Sequence, residues 1–143
     1  MRAIRSAVAE ALISKRGSLA PVEREATILF ADLADFTKLT ETIGPKGIVE
    51  VLNTYFDAVS QIINRHHGVI TQFQGDAVLA TFNVPAEDPD HARCAVRAAR
   101  EISDLVQSRD FAGIHVRTRI GICTGTVIAG SVGGGGRQNY TVH

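Results

Sequence analysis

The chain has 143 residues, 45% of them apolar and 21% charged, and contains no tryptophan. A chain of this length buries roughly two thirds of its unfolded surface on folding, so the composition describes one globular domain and excludes a disordered tail. Its 15 Lys and Arg balance its 15 Asp and Glu, which argues against nucleic acid as a partner, because phosphate contacts along a polyanion need a basic excess.

No apolar run approaches the roughly 18 residues that span a bilayer, and the first sixteen positions are interrupted by Arg2, Arg5, Glu10, Lys15 and Arg16. The chain therefore reads as soluble and unexported, with no membrane segment of its own, which is compatible with a parent protein tethered to a membrane. Cys94 and Cys123 lie 29 positions apart without a Cys-x-x-Cys or paired-histidine pattern. Neither a disulfide framework nor a zinc site is predicted, and a reducing cytoplasm fits best. Neutrality also conceals a pattern: net charge is +2 over residues 1–25, −6 over residues 26–90 and +4 over residues 91–143. Solvated helix faces give such a pattern. So does a cation site built from carboxylates.

In chain order, Ile4, Val8 and Leu12 beside Ala7 and Ala11 predict an amphipathic helix over residues 1–16, packed on the domain or on a second copy of it. Residues 17–23 read as a linker and residues 24–143 as the domain. The unbroken apolar run Ala26–Ala31 predicts a strand buried on both faces and ending at Asp32. Thr37 or Thr40 can open a short helix. Gly44-Pro45 then starts a longer one, with Ile48, Leu52, Tyr55, Phe56, Val59, Ile62 and Ile63 in a stripe that runs to His67 and is closed by Gly68.

Val69–Phe73 and Ala77–Phe82 flank the turn Gln74-Gly75-Asp76 and predict a β-hairpin. After the loop Pro85–Pro89, a helix over Asp90–Val106 turns Ala92, Ala95, Val96, Ala99, Ile102, Leu105 and Val106 inward and Arg93, Arg97, Arg100 and Glu101 outward. Val116, Thr118, Ile120 and Ile122 alternate with Arg117, Arg119, Gly121 and Cys123, a half-buried antiparallel strand that Val127–Ala129 extends. Gly133–Gly136 reads as a flexible hairpin tip and Arg137–His143 as one more strand. The order predicts an α+β fold with helices on one face of an antiparallel sheet.

Asp32 ends a buried strand and Asp76 sits in the hairpin turn, 44 residues apart. They converge only if their strands are neighbours, as the first strand and the hairpin are in a ferredoxin-like β-α-β-β-α-β order. Together they make an oxygen-rich site suited to Mg²⁺ or Mn²⁺, which one or two carboxylates and substrate phosphates usually hold. A helix cap at Asp32 and a turn preference at Asp76 account for the same residues. Leu33, Ala34, Asp35, Phe36 and Thr37 join that strand to a helix start, where backbone N–H groups point outward and can cradle phosphate, although no Walker loop is present. His66 and His67 close the long helix, where positive charge suits the dipole. His91 and His115 have no partner at metal spacing, and Cys123 is read as packing.

Four motifs stand in order: Phe30-Ala31-Asp32-Leu33-Ala34-Asp35-Phe36-Thr37, Gly75-Asp76-Ala77-Val78-Leu79-Ala80-Thr81-Phe82, Arg119-Ile120-Gly121-Ile122-Cys123-Thr124-Gly125 and Arg137-Gln138-Asn139-Tyr140-Thr141-Val142. With them the chain resembles the catalytic domain of class III adenylyl/guanylyl cyclases from about Arg24 to Val142. The resemblance implies a palm-type sheet and a homodimer with active sites at the interface. It also implies conversion of ATP to 3′,5′-cyclic AMP and pyrophosphate. Asp32, Asp76 and the Leu33 backbone carbonyl then hold two divalent metals, Mg²⁺ or Mn²⁺, and the backbone from Leu33 to Thr37 holds the phosphates.

Base recognition falls to Gln72, where adenylyl cyclases usually carry lysine, and to Thr141, which matches the aspartate or threonine of adenylyl cyclases. GTP is the less favoured substrate. Asp35 stands where the family often has glycine. The family's next stretch, Gly-Asp-x-Val-Asn-x-Ala-x-Arg, supplies a transition-state Asn and Arg from the opposite subunit. These follow Val142 in the family, whereas this sequence ends at His143. The resemblance thus implies a C-terminally incomplete domain with little or no turnover by itself. The alternative is a non-catalytic cyclase-homology module that dimerises or regulates.

Overall fold

The computed structural model describes residues 22–132 and 139–142, with side chains over residues 23–128. The expected helix over residues 1–16, residues 17–21 of the expected linker, the Gly133–Gly136 tip and residues 137, 138 and 143 of the expected last strand lie outside the described residues, whereas Val22 and Glu23, expected to end the linker, already belong to the first strand. The elements run β1 (Val22–Leu33), α1 (Phe36–Arg65), β2 (Val69–Gln74), β3 (Ala77–Phe82), α2 (His91–Ser108), β4 (Thr118–Val132) and β5 (Asn139–Val142). They build one sheet in the order β2-β3-β1-β4-β5 with every neighbouring pair antiparallel. This is the α+β, ferredoxin-like arrangement expected from the element order. It sets β1 between the hairpin and β4.

β1 departs from its expected burial. Leu29, Ala31 and Leu33 are fully buried under the two helices, whereas Phe30, on the opposite face, is 40% exposed. Because that opposite face carries Ile28 and Phe30, the apolar run lost its period of two and looked buried on both sides. The strand is also longer than its apolar run. Val22 to Glu25 pair with Thr126 to Ala129, so ladder hydrogen bonds carry it through charged positions.

α1 is two helical segments joined at Gly44, whose φ of 77° and ψ of 174° break the helix before Pro45. Proline is tolerated at a first helical position because the N–H it lacks has no helical acceptor there. The second segment buries Ile48, Val51, Tyr55, Ala58, Val59, Ile62 and Ile63, and its predicted members Leu52 and Phe56 pack at the margin of the core. At the end of α1 the left-handed residue is His67, with φ 69°. Gly68 is required there for space. A Cβ on it would stand 2.6 Å from Ile63 Cγ2 and 2.7 Å from Phe82 Cζ.

α2 buries most of the expected face, with Ala95, Ile102 and Val106 buried and Ala99 and Leu105 packed at the core margin, and departs from it at its N-terminal half. His91, Cys94, Ala95, Ala98, Ile102 and Val106 are buried, while Val96 is 56% exposed and Ala92 is exposed. The helix is alanine-rich, so small residues fit either face and the apolar pattern alone did not fix its rotation. Each large buried side chain of the shared core, Leu29, Leu33, Ile62, Ile63 and Phe82 among them, contributes roughly 1.5–3 kcal/mol. Cys123, expected to pack, is exposed, because its side of β4 carries no helix.

Candidate active site at the end of β1

Antiparallel register places Asp32 of β1 directly opposite Arg119 of β4, so their side chains share the sheet face that the helices leave open. The guanidinium grips the carboxylate with both arms, Nε donating to Oδ1 and Nη2 to Oδ2, each at 2.9 Å. Asp32 is only 7% exposed. Its hydrogen bonds to Asp32 come first in holding the Arg119 guanidinium above the usual arginine range, followed by the attraction of Asp32, Asp76 and Asp35.

Asp76 reaches the same place from the hairpin turn. Gly75, at φ 59°, takes the left-handed position of that turn, and Asp76 Oδ2 accepts the backbone N–H of Leu33 at 3.1 Å. The two carboxylates predicted to converge are therefore separated by a single peptide unit of β1. Asp76 and Arg119 line an open cleft of about 540 Å³ together with Asp35, Phe36, Thr37, Lys38 and Glu41.

Of the predicted phosphate segment, Leu33 and Ala34 already use their N–H groups, on Asp76 and on the Arg117 carbonyl at 2.8 Å. Asp35 precedes α1 in the left-handed conformation, φ 57° and ψ 37°. Its carboxylate receives Arg117 Nη2 at 2.6 Å, which offsets the charge this position brings to the cleft. The first-turn N–H groups of α1, from Phe36 onward, have no helical carbonyl to bond. They open beside the cleft that Phe36 and Thr37 line.

Gln72 is exposed on β2. Through Leu79 it stands in one cross-strand row with Phe30 and Gly121, so it shares the open face with Asp32. A bulge between Ile70 and Gln72 breaks the β2–β3 register beside it, and its Nε2 donates to Gln74 Oε1 at 3.3 Å. Thr141 is placed by its backbone only, paired with Gly130, on the last strand of the sheet order while Gln72 lies on the first.

Two residues that sequence reasoning left out support this end of β1. Arg119 was read as the polar half of an alternating strand. Only register could have singled it out. The second is Tyr55, fully buried beneath the site. Thr118 Oγ1 donates to the Asp32 carbonyl at 3.0 Å, so its 2.8 Å bond to Tyr55 is one in which the phenol donates. Burial, and then the nearby charges of Asp32 and Asp76 against the opposing Thr118 bond, push Tyr55 up to about 12. The Tyr55→Thr118→Asp32 chain thus keeps one direction over the physiological range.

An antiparallel sheet of this strand order with its helices on one face is a palm-type α+β fold. The sequence matches the family described as adenylate and guanylate cyclase catalytic domain over residues 20–143, and the chain belongs to that family. It is 39% identical over 130 residues to adenylate cyclase 1 of Rhizobium meliloti (strain 1021), across 87% of this chain and 20% of that protein. Its fold is similar to the catalytic core of a rhodopsin-guanylyl cyclase with converted specificity in complex with ATPαS. There the TM-score is 0.80 and the identity 27%, over 86% of this chain and 67% of that one. It is also similar to the adenylyl cyclase CyaB from P. aeruginosa, with a TM-score of 0.76 and 26% identity over 87% and 68% of the two chains. The chain spans about a fifth of the length of the curated relative. Among the described residues no helix is long and apolar enough to cross a membrane.

Proposed function

We propose that this domain serves an adenylyl cyclase, forming a bond between the ribose 3′-oxygen of ATP and its α-phosphorus while the bond to pyrophosphate breaks. The convergence of Asp32 and Asp76 on one peptide unit carries this reading. Their donor set fits two hard divalent cations, Mg²⁺ or Mn²⁺. Both Asp32 oxygens already face a positive group, and Asp76 commits only Oδ2 to a protein donor among the described residues. Such ions, when bound, lower the pKa of the attacking hydroxyl and neutralise the triphosphate.

The protein's own part is placement. Asp32 and Asp76, with the Leu33 carbonyl, hold the cations at a rigid strand end. Arg119 balances Asp32 until cations take that carboxylate, and then turns its charge to the cleft. Because the Leu33 and Ala34 N–H groups are already bonded, the phosphates fall to the rest of the predicted segment, Asp35 to Thr37, with the first amides of α1. Gln72, on the open face, and Thr141 read the base, adenine in preference to guanine, across a homodimer formed on that face.

Mn²⁺-dependent ATP binding tests the site. Calorimetry is expected to show it in the wild type and not in a D32A/D76A double variant, and equal binding by both overturns the proposal. The pairing of Gln72 with Gln74, where a charged base reader is usual, favours a second reading as a non-catalytic dimerising module. Cyclic AMP formed by the chain extended through a relative's Asn/Arg stretch excludes it.

A further inference from the structure

At the far end of the sheet from Asp76, three residues with unlike ligand atoms meet. His67 ends the turn after α1, Asp88 lies in the loop after β3, and Cys94 is in the first turns of α2. His67 Nδ1 and Asp88 Oδ2 are 3.2 Å apart, Cys94 Sγ and Asp88 Oδ2 3.4 Å, and Cys94 Sγ and His67 Nδ1 3.9 Å. We propose that His67, Asp88 and Cys94 form a zinc-binding site, separate from the carboxylate cleft, whose fourth position is open to water.

The distances carry the assignment. Zinc bonds of about 2.0–2.2 Å to nitrogen and oxygen and 2.3 Å to sulfur, at tetrahedral angles, put ligand atoms roughly 3.3–3.6 Å apart. The three separations fall within about 0.4 Å of those edges. One thiolate, one imidazole and one carboxylate form a set suited to Zn²⁺ and its soft neighbours, not to the Mg²⁺ or Mn²⁺ of the cleft. β3 alone sets the two sites about 20 Å apart along the sheet.

The site is also built. Asp88 takes its backbone N–H to Asn83 Oδ1 at 2.6 Å, and its Oδ1 accepts the Asp90 N–H at 3.0 Å, so Oδ2 is left to the cluster. Asn83 is itself tied to the Glu25 carbonyl at 2.7 Å. Cys94 is anchored by the buried face of α2, while the His67 side chain is 70% exposed, leaving one side of the cluster open to solvent. In the metal-free protein the thiol donates to Asp88 Oδ2. Zinc displaces that proton, so binding releases protons and tightens as pH rises. Bound metal ties the end of α1, the β3–α2 loop and the start of α2 together.

Titration of the 143-residue chain with Zn²⁺ alone, paired with Co²⁺ absorption, tests this. One ion per chain is expected, with a thiolate-to-cobalt charge-transfer band that is lost in Cys94→Ser and kept in Cys123→Ser. His67→Ala, at an exposed position that does not threaten folding, is expected to lose more affinity than the roughly 10–100-fold that loss of a supporting group costs. D32A/D76A is expected to bind zinc as the wild type does. Zinc binding unchanged in both H67A and C94S, binding that follows Cys123, or none at micromolar zinc overturns the proposal.

Discussion

Asp32 and Arg119 face each other across the β1–β4 ladder and share two hydrogen bonds of 2.9 Å. The Asp32 carboxylate, proposed above as a metal ligand, is thus held by an arginine, and a divalent ion that binds there must compete with it. Arg119→Ala is expected to bind Mn²⁺ several-fold more tightly than wild type without nucleotide, and ATP more weakly, because the positive charge released to the triphosphate is gone. Calorimetry with metal alone and then with metal and ATP reads both arms. Weaker metal binding in the variant contradicts the competition.

Asp76 has two duties that different substitutions separate. Asp76→Ala removes the acceptor of the Leu33 N–H and is expected to cost about 1–2 kcal/mol of stability, measured by urea unfolding. Asp76→Asn keeps an acceptor oxygen and is expected to recover most of that loss while still abolishing Mn²⁺-dependent ATP binding. Equal destabilisation by the two variants rules out the hydrogen bond as the structural duty.

Tyr55 gives a pH dependence with a definite sign. Its phenol is pushed up to about 12 in the folded domain against about 10 in an unfolded chain. The protonated form is the one that folding favours, so its contribution is complete below pH 10 and is lost as pH rises towards 12. With no tryptophan and only two tyrosines in the chain, phenolate absorbance resolves the step. Tyr55→Phe is expected to remove the high-pH ionisation and cost about 0.5–1.5 kcal/mol at neutral pH.

Gly68 tests packing rather than chemistry. A methyl group there meets Ile63 and Phe82 at 2.6–2.8 Å, and both neighbours are fixed in the core. Gly68→Ala is expected to destabilise by about 1–3 kcal/mol. A melting temperature equal to that of the wild type shows that β2 can shift to admit it.

The hairpin around Gly75-Asp76, the break at Gly44-Pro45 and the alternation of β4 were legible in the sequence because each is a local signal of turn chemistry or period. The Asp32/Asp76 pair was legible as well, once the element order set β1 beside the hairpin. The inward face of α2 was legible at Ala95, Ile102 and Val106 but not at Ala92 and Val96, which are exposed. There its face is chosen by what Cys94 and Ala98 meet in the core, and alanines on every side leave no period to read. The burial of β1 was misread for a related reason: Phe30 and Ile28 are as apolar as Leu29 and Ala31, and only the placement of both helices on one face distinguishes them.

Residue types and their order thus determined the strands, the turns and the carboxylates available for a cation. The tertiary structure decided what those carboxylates meet. Arg119 lies 87 positions from Asp32, and Tyr55 acts through Thr118 from a different element. His67, Asp88 and Cys94 come from a helix end, a loop and the next helix. No spacing rule joins such residues, because their proximity is produced by register and packing, which act between segments distant along the chain.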